Sequence, residues 1–477
     1  MKTIIILLCF SLFFSLTKDD IPNFEKYFKP FEFNYFDMFN SSSLYSWYRF
    51  KQSEHFFVFW EKGFGLEPNS ENVPSDMRVD IDALLIKMED YFKVNIEVAK
   101  FINLEENKSY LDIYKMQIYI QYRTGRLVVG YGYDNVIGAM WLTPAPCREA
   151  GTALAHEIGH SFQYQIYCDQ LYRKEVEPSY KSGFRYIYEG SDNGIGLWEQ
   201  TAQWQAHLVF PSERFYDLNF EKWPINCHRH FEHEALRYAS YFLHVYWSEK
   251  RGIETIGIIW NKSRYPDDSI QTYMKLYLSN DYDSMKTELF DYAMKMATYD
   301  LDALRIYSLE FVDKYETKFY ENNGYFQISY KQCPGNNGFN VIPLNIPESN
   351  KIIQVEFIGL EPGSELAPED PGEWLIDEYK AGGIVRNYND VNKGNVGWKY
   401  GFVTLNSDDS RTYSEEFNLD KDIVSFEVPK NAKKLFMVVQ GCPSTYIQQP
   451  WDNYEINDPQ FPYKLKFVNT SLKTSES

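Results

Sequence analysis

Hydrophobic and polar positions change rhythm along the chain. Between Phe56 and Thr143, "HFFVFW" and "KMQIYIQY" have the length and aromatic or β-branched character of strands. "RVDIDALLIKMEDYFKVNIEVAKF" instead carries its apolar residues at helical spacing, and "GAMWLTPAP" predicts a short strand stopped by two prolines. A helix is expected from Glu149 to about Tyr167, then a loop with Pro178, Gly183, Gly190, Gly194 and Gly196. Helices are expected over most of Trp198 to Tyr320, "HEALRYASYFLHVYWSEK" among them. After Asn323 the pattern turns to short strands between turn residues: "KIIQVEFIGL", "KYGFVTL", "DIVSFEV" and "KKLFMVV". The expected architecture is an α+β domain over residues 55–322, a mixed sheet plus a mainly helical second half, followed by an all-β sandwich over 323–477.

At 477 residues the chain exceeds what one hydrophobic core usually serves, and core size is not limiting. Its formal charge of -19 would repel a phosphate backbone, so nucleic acid is not an expected partner. Lys2 and the apolar run Ile4 to Leu16 predict a secretory signal over residues 1–17, too short to span a bilayer. Residues 18–54 form an N-terminal segment with no recognisable cysteine switch. No later run is apolar for long enough to predict a transmembrane anchor, so the expected location is secreted, or the lumen of a vesicle. The sequons at Asn40, Asn107, Asn261 and Asn469 agree with that compartment. Beyond the signal lie Cys147, Cys168, Cys227, Cys333 and Cys442; an oxidising compartment and two Cys-Pro turns predict a Cys333–Cys442 disulfide.

The chemistry-bearing segment runs from Ala155 to Gln163. At about 100° per residue Leu154, Ile158 and Phe162 share one stripe, while His156 and His160 fall together on the far side. Two imidazoles four residues apart can reach one Zn²⁺, and Glu157 between them can face a zinc-bound water. Such a site needs a third protein ligand, for which Glu199 in "GLWEQTAQW" is the first choice, with Asp192 and Glu189 as substitutes.

"HEIGHSFQ" followed by "GLWEQ" resembles the gluzincin pattern in the variant found in enhancin-like, mucin-directed metallopeptidases. The stretch between the two motifs is longer here, and Gln203 stands where that group has Asn. The resemblance implies a zincin-like fold for residues 55–322 and zinc held by His156, His160 and Glu199. It implies Glu157 as general base in the hydrolysis of peptide bonds in extracellular proteins or glycoproteins. The strand Gly138 to Leu142 is a candidate to bind extended peptide by strand addition. A donor to the oxyanion is expected downstream of Glu199, where a helical reading of "HRHFEHEALRYASYF" places His230, Glu234 and Tyr238 on one stripe. Tyr238 ranks before His230, because a phenol donates at neutral pH without changing charge. Two other readings stand beside this one. The β domain could bind glycan through Trp374, Trp398 or Trp451 on an adhesive zincin-like scaffold, or the zinc site could hydrolyse a non-peptide amide.

Overall fold

The computed structural model describes residues 16–473 except 36, 179–194, 218, 349–350, 375–381 and 453. Residues 4–15 of the apolar run of the expected signal, Asp192, Glu189 and Gly183, Gly190 and Gly194 lie outside the described residues. The chain divides into two compact units, Met1–Ile96 with Asn103–Arg173, and Glu97–Ile102 with Lys174–Ser477.

In the first unit, β1 (Phe50–Gln52), β2 (Phe56–Trp60), β3 (Met116–Ile120), β4 (Val128–Tyr133) and β5 (Ile137–Leu142) form one sheet in the order β1-β2-β3-β5-β4. β2, β3 and β5 run parallel, and both edge strands are antiparallel to their neighbours. Pleating sends successive β2 side chains to opposite faces. Phe56 turns towards α1 (Ile81–Lys93), where it meets Phe92 edge-on, and Phe92 also touches Phe162. Phe57 and Phe59 turn the other way and meet Tyr27 and Trp47 of the N-terminal segment. Phe33 and Tyr45 pack on Tyr119 of β3 in the same layer. Residues 18–49 thus cover one sheet face, which is why every residue of β2 and β3 is buried.

α1 starts where Asp80 accepts the amide of Ala83 at 3.0 Å, an N-cap that satisfies one orphan donor. The two prolines after β5 do more than stop it: Pro144 opens the short helix α2 (Pro144–Glu149), a position where its missing N–H costs nothing. Ala150, in a left-handed conformation, then turns the chain into α3 (Thr152–Tyr172).

In the second unit the helices are α4 (Ile195–Val209), α5 (Trp223–Asn226), α6 (Phe242–Arg251), α7 (Thr255–Lys262), α8 (Ser269–Tyr277), α9 (Tyr282–Met296) and α10 (Asp302–Ser308). The strands that follow are β6 (Phe319–Asn322), β7 (Tyr325–Ile328), β8 (Phe339–Leu344), β9 (Ile352–Gly359), β10 (Glu373–Trp374), β11 (Gly383–Ile384), β12 (Trp398–Asn406), β13 (Arg411–Tyr413), β14 (Lys421–Glu427), β15 (Ala432–Gly441) and β16 (Tyr463–Val468). Two antiparallel sheets, β13-β12-β15-β8 and β14-β9-β16-β7-β6, share one core, and β10 pairs with β11 apart from them. Phe357 stacks on Tyr400 at 4.1 Å and Phe402 on Phe426 at 5.4 Å, ring to ring across the sandwich. All four strand segments expected after Asn323 are strands here.

Three expectations change. The helical stretch 195–311 forms one compact unit with the sandwich, because rings from both halves meet: Phe339 of β8 lies against Trp223 and Tyr292. Cys333 and Cys442 are not joined, and both are buried free thiols. Cys333 Sγ lies 3.9 Å from the Pro334 carbonyl and Cys442 Sγ 3.7 Å from Gln440 Oε1, while main-chain bonds such as Asn337 N to Gly441 O tie the region together. Finally, "HRHFEHEALRYASYF" is not a helix but turns around one short 3₁₀ segment, Glu234–Leu236, and helix resumes only at Phe242. Side-chain bonds to the main chain win there: His233 Nδ1 accepts the Ala235 amide, and Ser240 Oγ and Gln200 Nε2 both donate to the Phe231 carbonyl.

Candidate metal centre

Helix α3 lies unusually close to the sheet because glycines leave room for it. A Cβ on Gly130 would sit 1.6 Å from the Glu157 carbonyl oxygen, and one on Gly132 would sit 2.1 Å from the Tyr164 ring. Polar groups then fasten the helix, with Ser161 Oγ donating to the Ala139 carbonyl at 3.0 Å and Gln165 Oε1 accepting the Gly138 amide at 2.9 Å. Further along, Asp169 accepts from Ser109 Oγ, the Tyr110 amide and Gln165 Nε2, while burial pushes its carboxyl up to about 6. The predicted stripe of Leu154, Ile158 and Phe162 is buried, but so is most of the opposite side, leaving His160 and Glu157 half-buried and His156 8% exposed.

That geometry gathers the three motif residues. His156 Nε2 and His160 Nε2 face each other at 3.1 Å with their rings at 87°. One ligand atom each from His156, Glu157 and His160 can be chosen so that all lie within 4.8 Å of one another. Two nitrogens bound to the same tetrahedral zinc at about 2.0–2.1 Å would stand roughly 3.3 Å apart. The imidazole pair therefore fits zinc in both donor type and spacing. Glu157 Oε2 accepts the Gly130 amide at 2.8 Å, which fixes its carboxylate beside the histidines.

The edge assignment is corrected. β5, holding Gly138 to Leu142, pairs with β3 on one side and β4 on the other, so it offers no open edge. The edge is β4, and because the Gly130 N–H points to Glu157 instead of β5, ladder alternation turns the main-chain groups of Val128 and Gly132 outward too. The sequence signals neither strand as an edge; Gly130 and Gly132 in "VVGYGY" were the available hint of close helix approach. Gln163, the last residue of "HEIGHSFQ", is the other member that spacing alone left without a role: its Oε1 lies 2.9 Å from His160 Nδ1.

The remaining candidates lie in the second unit. Glu199 is half-buried on α4, flanked by Gln200 and by Gln203, whose Nε2 donates to Asp217 Oδ2 at 3.0 Å. His230 is 1% exposed; its Nδ1 accepts the Glu232 amide at 3.0 Å, which leaves the proton of the neutral ring on Nε2, and burial lowers its pKa to about 3. Tyr238 is half-buried in a turn with the Arg237 guanidinium 5.5 Å from its ring centroid. Trp398 is corrected as a stacking platform, since it is 4% exposed in the sandwich core and donates to the Phe461 carbonyl. Trp374 and Trp451 are half-buried, the first against the same core and the second beside Gly196.

Among the described residues no helix is long and apolar enough to cross a membrane. No curated protein and no solved structure matches the chain. Residues 20–474 match a protein-family model described as a family of unknown function, DUF6055, and the chain belongs to that family.

Proposed function

We propose that this protein is a secreted, zinc-dependent endopeptidase of the gluzincin type that hydrolyses peptide bonds in extracellular proteins or glycoproteins. The observation that carries the reading is the pair of Nε2 atoms at 3.1 Å beside a carboxylate held by the Gly130 amide. His156 and His160 supply two ligands, and the sequence pattern assigns Glu199 as the third. Bound zinc would polarise the scissile carbonyl and bring the pKa of its water to about 7.

The chain's own residues do the rest. With Oε2 tied to Gly130, Glu157 takes the proton of the attacking water on Oε1. The water oxygen bonds to the carbonyl carbon, the C–N bond breaks, and Glu157 returns the proton to the leaving nitrogen. An extended substrate lies along β4, pairing with the outward main-chain groups of that edge. Tyr238, ahead of His230, is the candidate to stabilise the oxyanion, and its replacement by Phe should lower kcat by about 10²–10³ with zinc still bound. With Trp398 in the core, the glycan-binding alternative loses one of its three candidate platforms.

The test is metal analysis combined with cleavage-site mapping on a mixed proteome. One zinc per chain, cleavage stopped by a chelator, and a Glu157→Gln variant that keeps zinc but does not cleave would support the reading. Zinc without any peptide cleavage would transfer the site to a non-peptide amide, and full zinc stoichiometry in His156→Ala would overturn the ligand assignment.

A further inference from the structure

The geometry points to Gln163 as the positioning residue of the metal centre: its amide oxygen fixes the tautomer of His160 that can bind a cation. The inference rests on His156 and His160 being metal ligands, and adds what holds one of them ready.

Gln163 lies on α3 three residues after His160, so the two side chains share a face of the helix. Its Oε1 stands 2.9 Å from His160 Nδ1, and the residue is 1% exposed. An amide oxygen can only accept, so this contact requires the proton of a neutral His160 to sit on Nδ1. The lone pair is then on Nε2, the atom 3.1 Å from His156 Nε2. In the other tautomer Nε2–H would donate to His156 Nε2, and the imidazole pair would close on itself. A glutamine buried within a helix is costly to desolvate unless its polar ends are used, and orienting a ligand is a use that accounts for the burial. Metal-bound histidines commonly donate their second N–H to a carboxylate; here a neutral amide does so, which leaves the imidazole less electron-rich.

The experiment measures zinc affinity of the full chain by chelator competition in the wild type, Gln163→Leu and Gln163→Glu. Gln163→Leu should bind about 10–100-fold more weakly. Gln163→Glu should bind at least as tightly as the wild type, because a carboxylate accepts the same N–H more strongly. An unchanged affinity in Gln163→Leu, or a Gln163→Glu variant as weak as Gln163→Leu, would overturn the role. Nitrogen-15 NMR of the zinc-free wild type gives a second readout that needs no variant to fold: His160 protonated on Nδ1 agrees, and protonated on Nε2 refutes. A wild type that binds no zinc would remove the metal reading itself, whereas equal zinc affinity in all three proteins would remove only Gln163.

Discussion

The amide nitrogen of Gly130 lies 2.8 Å from Glu157 Oε2, so the sheet's edge strand and the helix bearing the histidines meet at the proposed general base. The contact depends on the missing side chain. In Gly130→Ala the new Cβ would fall 1.6 Å from the Glu157 carbonyl oxygen, a backbone atom that cannot swing aside. Overpacking of this kind costs about 1–3 kcal/mol or more and displaces the helix. Gly130→Ala should therefore lose peptide cleavage and melt earlier than the wild type. Wild-type cleavage with an unchanged Tm would show that α3 does not approach β4 this closely.

Trp47 carries a second prediction, because it places the N-terminal segment within the fold instead of in front of it. Its ring touches Tyr27, Phe50, Phe57 and Phe59, and it is 2% exposed. Trp47→Ala should cost about 3–5 kcal/mol, read from urea unfolding. Removal of residues 18–49 should leave an insoluble or unfolded protein instead of an activated one. A truncated chain that cleaves faster would make this segment a propeptide.

What the sequence disclosed divides along local and non-local lines. The His156, Glu157 and His160 constellation was legible because a spacing of four in a helix brings side chains together whatever surrounds them. The strands of the sandwich were legible for the same reason, since alternation and turn residues are local. Which strand forms the edge was not, because β4 and β5 are told apart only by the partner each finds across the sheet. Nor was the irregular path from His228 to Tyr241, where Phe231 spends its carbonyl on Gln200, 31 residues away. A helical period was present there, and side-chain bonds to the main chain overrode it.

The sequons separate by environment, which makes secretion testable at residue level. Asn40, Asn107 and Asn469 are exposed, whereas Asn261 is half-buried in the last turn of α7 with its Nδ2 donating to the Gly257 carbonyl at 2.9 Å. If the chain enters the secretory pathway, glycopeptide mapping of the secreted protein should find glycan at the three exposed sites and none at Asn261. Unmodified asparagine at all four sites in secreted protein would run against this expectation, and so would an occupied Asn261.

The last prediction concerns a buried pair of acids. Glu232 and Asp268 are 3% and 2% exposed. Ser269 Oγ donates to Glu232, while Asp268 accepts from Tyr446 Oη at 2.5 Å and from the Gln271 amide at 2.8 Å. Among the described residues no cation pairs directly with either: Asp267, nearest in sequence, is itself negative and is bound by Lys275. Burial, reinforced by mutual repulsion, holds the Glu232 carboxyl well above the ordinary range, and burial raises Asp268 to about 6. A carboxyl whose pKa is raised on folding binds more protons folded than unfolded. Its stabilising contribution is complete below the unfolded value of about 4 and is lost as pH rises through the folded value. For Asp268 that window runs from about 4 to about 6, and Glu232 extends it upward. Glu232→Gln keeps an oxygen for Ser269 and removes one of the two acids. Its Tm should therefore fall less between pH 5 and pH 8 than that of the wild type, by several degrees, with the two proteins closest at the acid end. The pair matters beyond stability, because the Glu232 main chain lies against Gly196 at the start of α4, the helix that carries Glu199. Parallel pH profiles for the two proteins would mean that Glu232 does not hold its proton in the folded state.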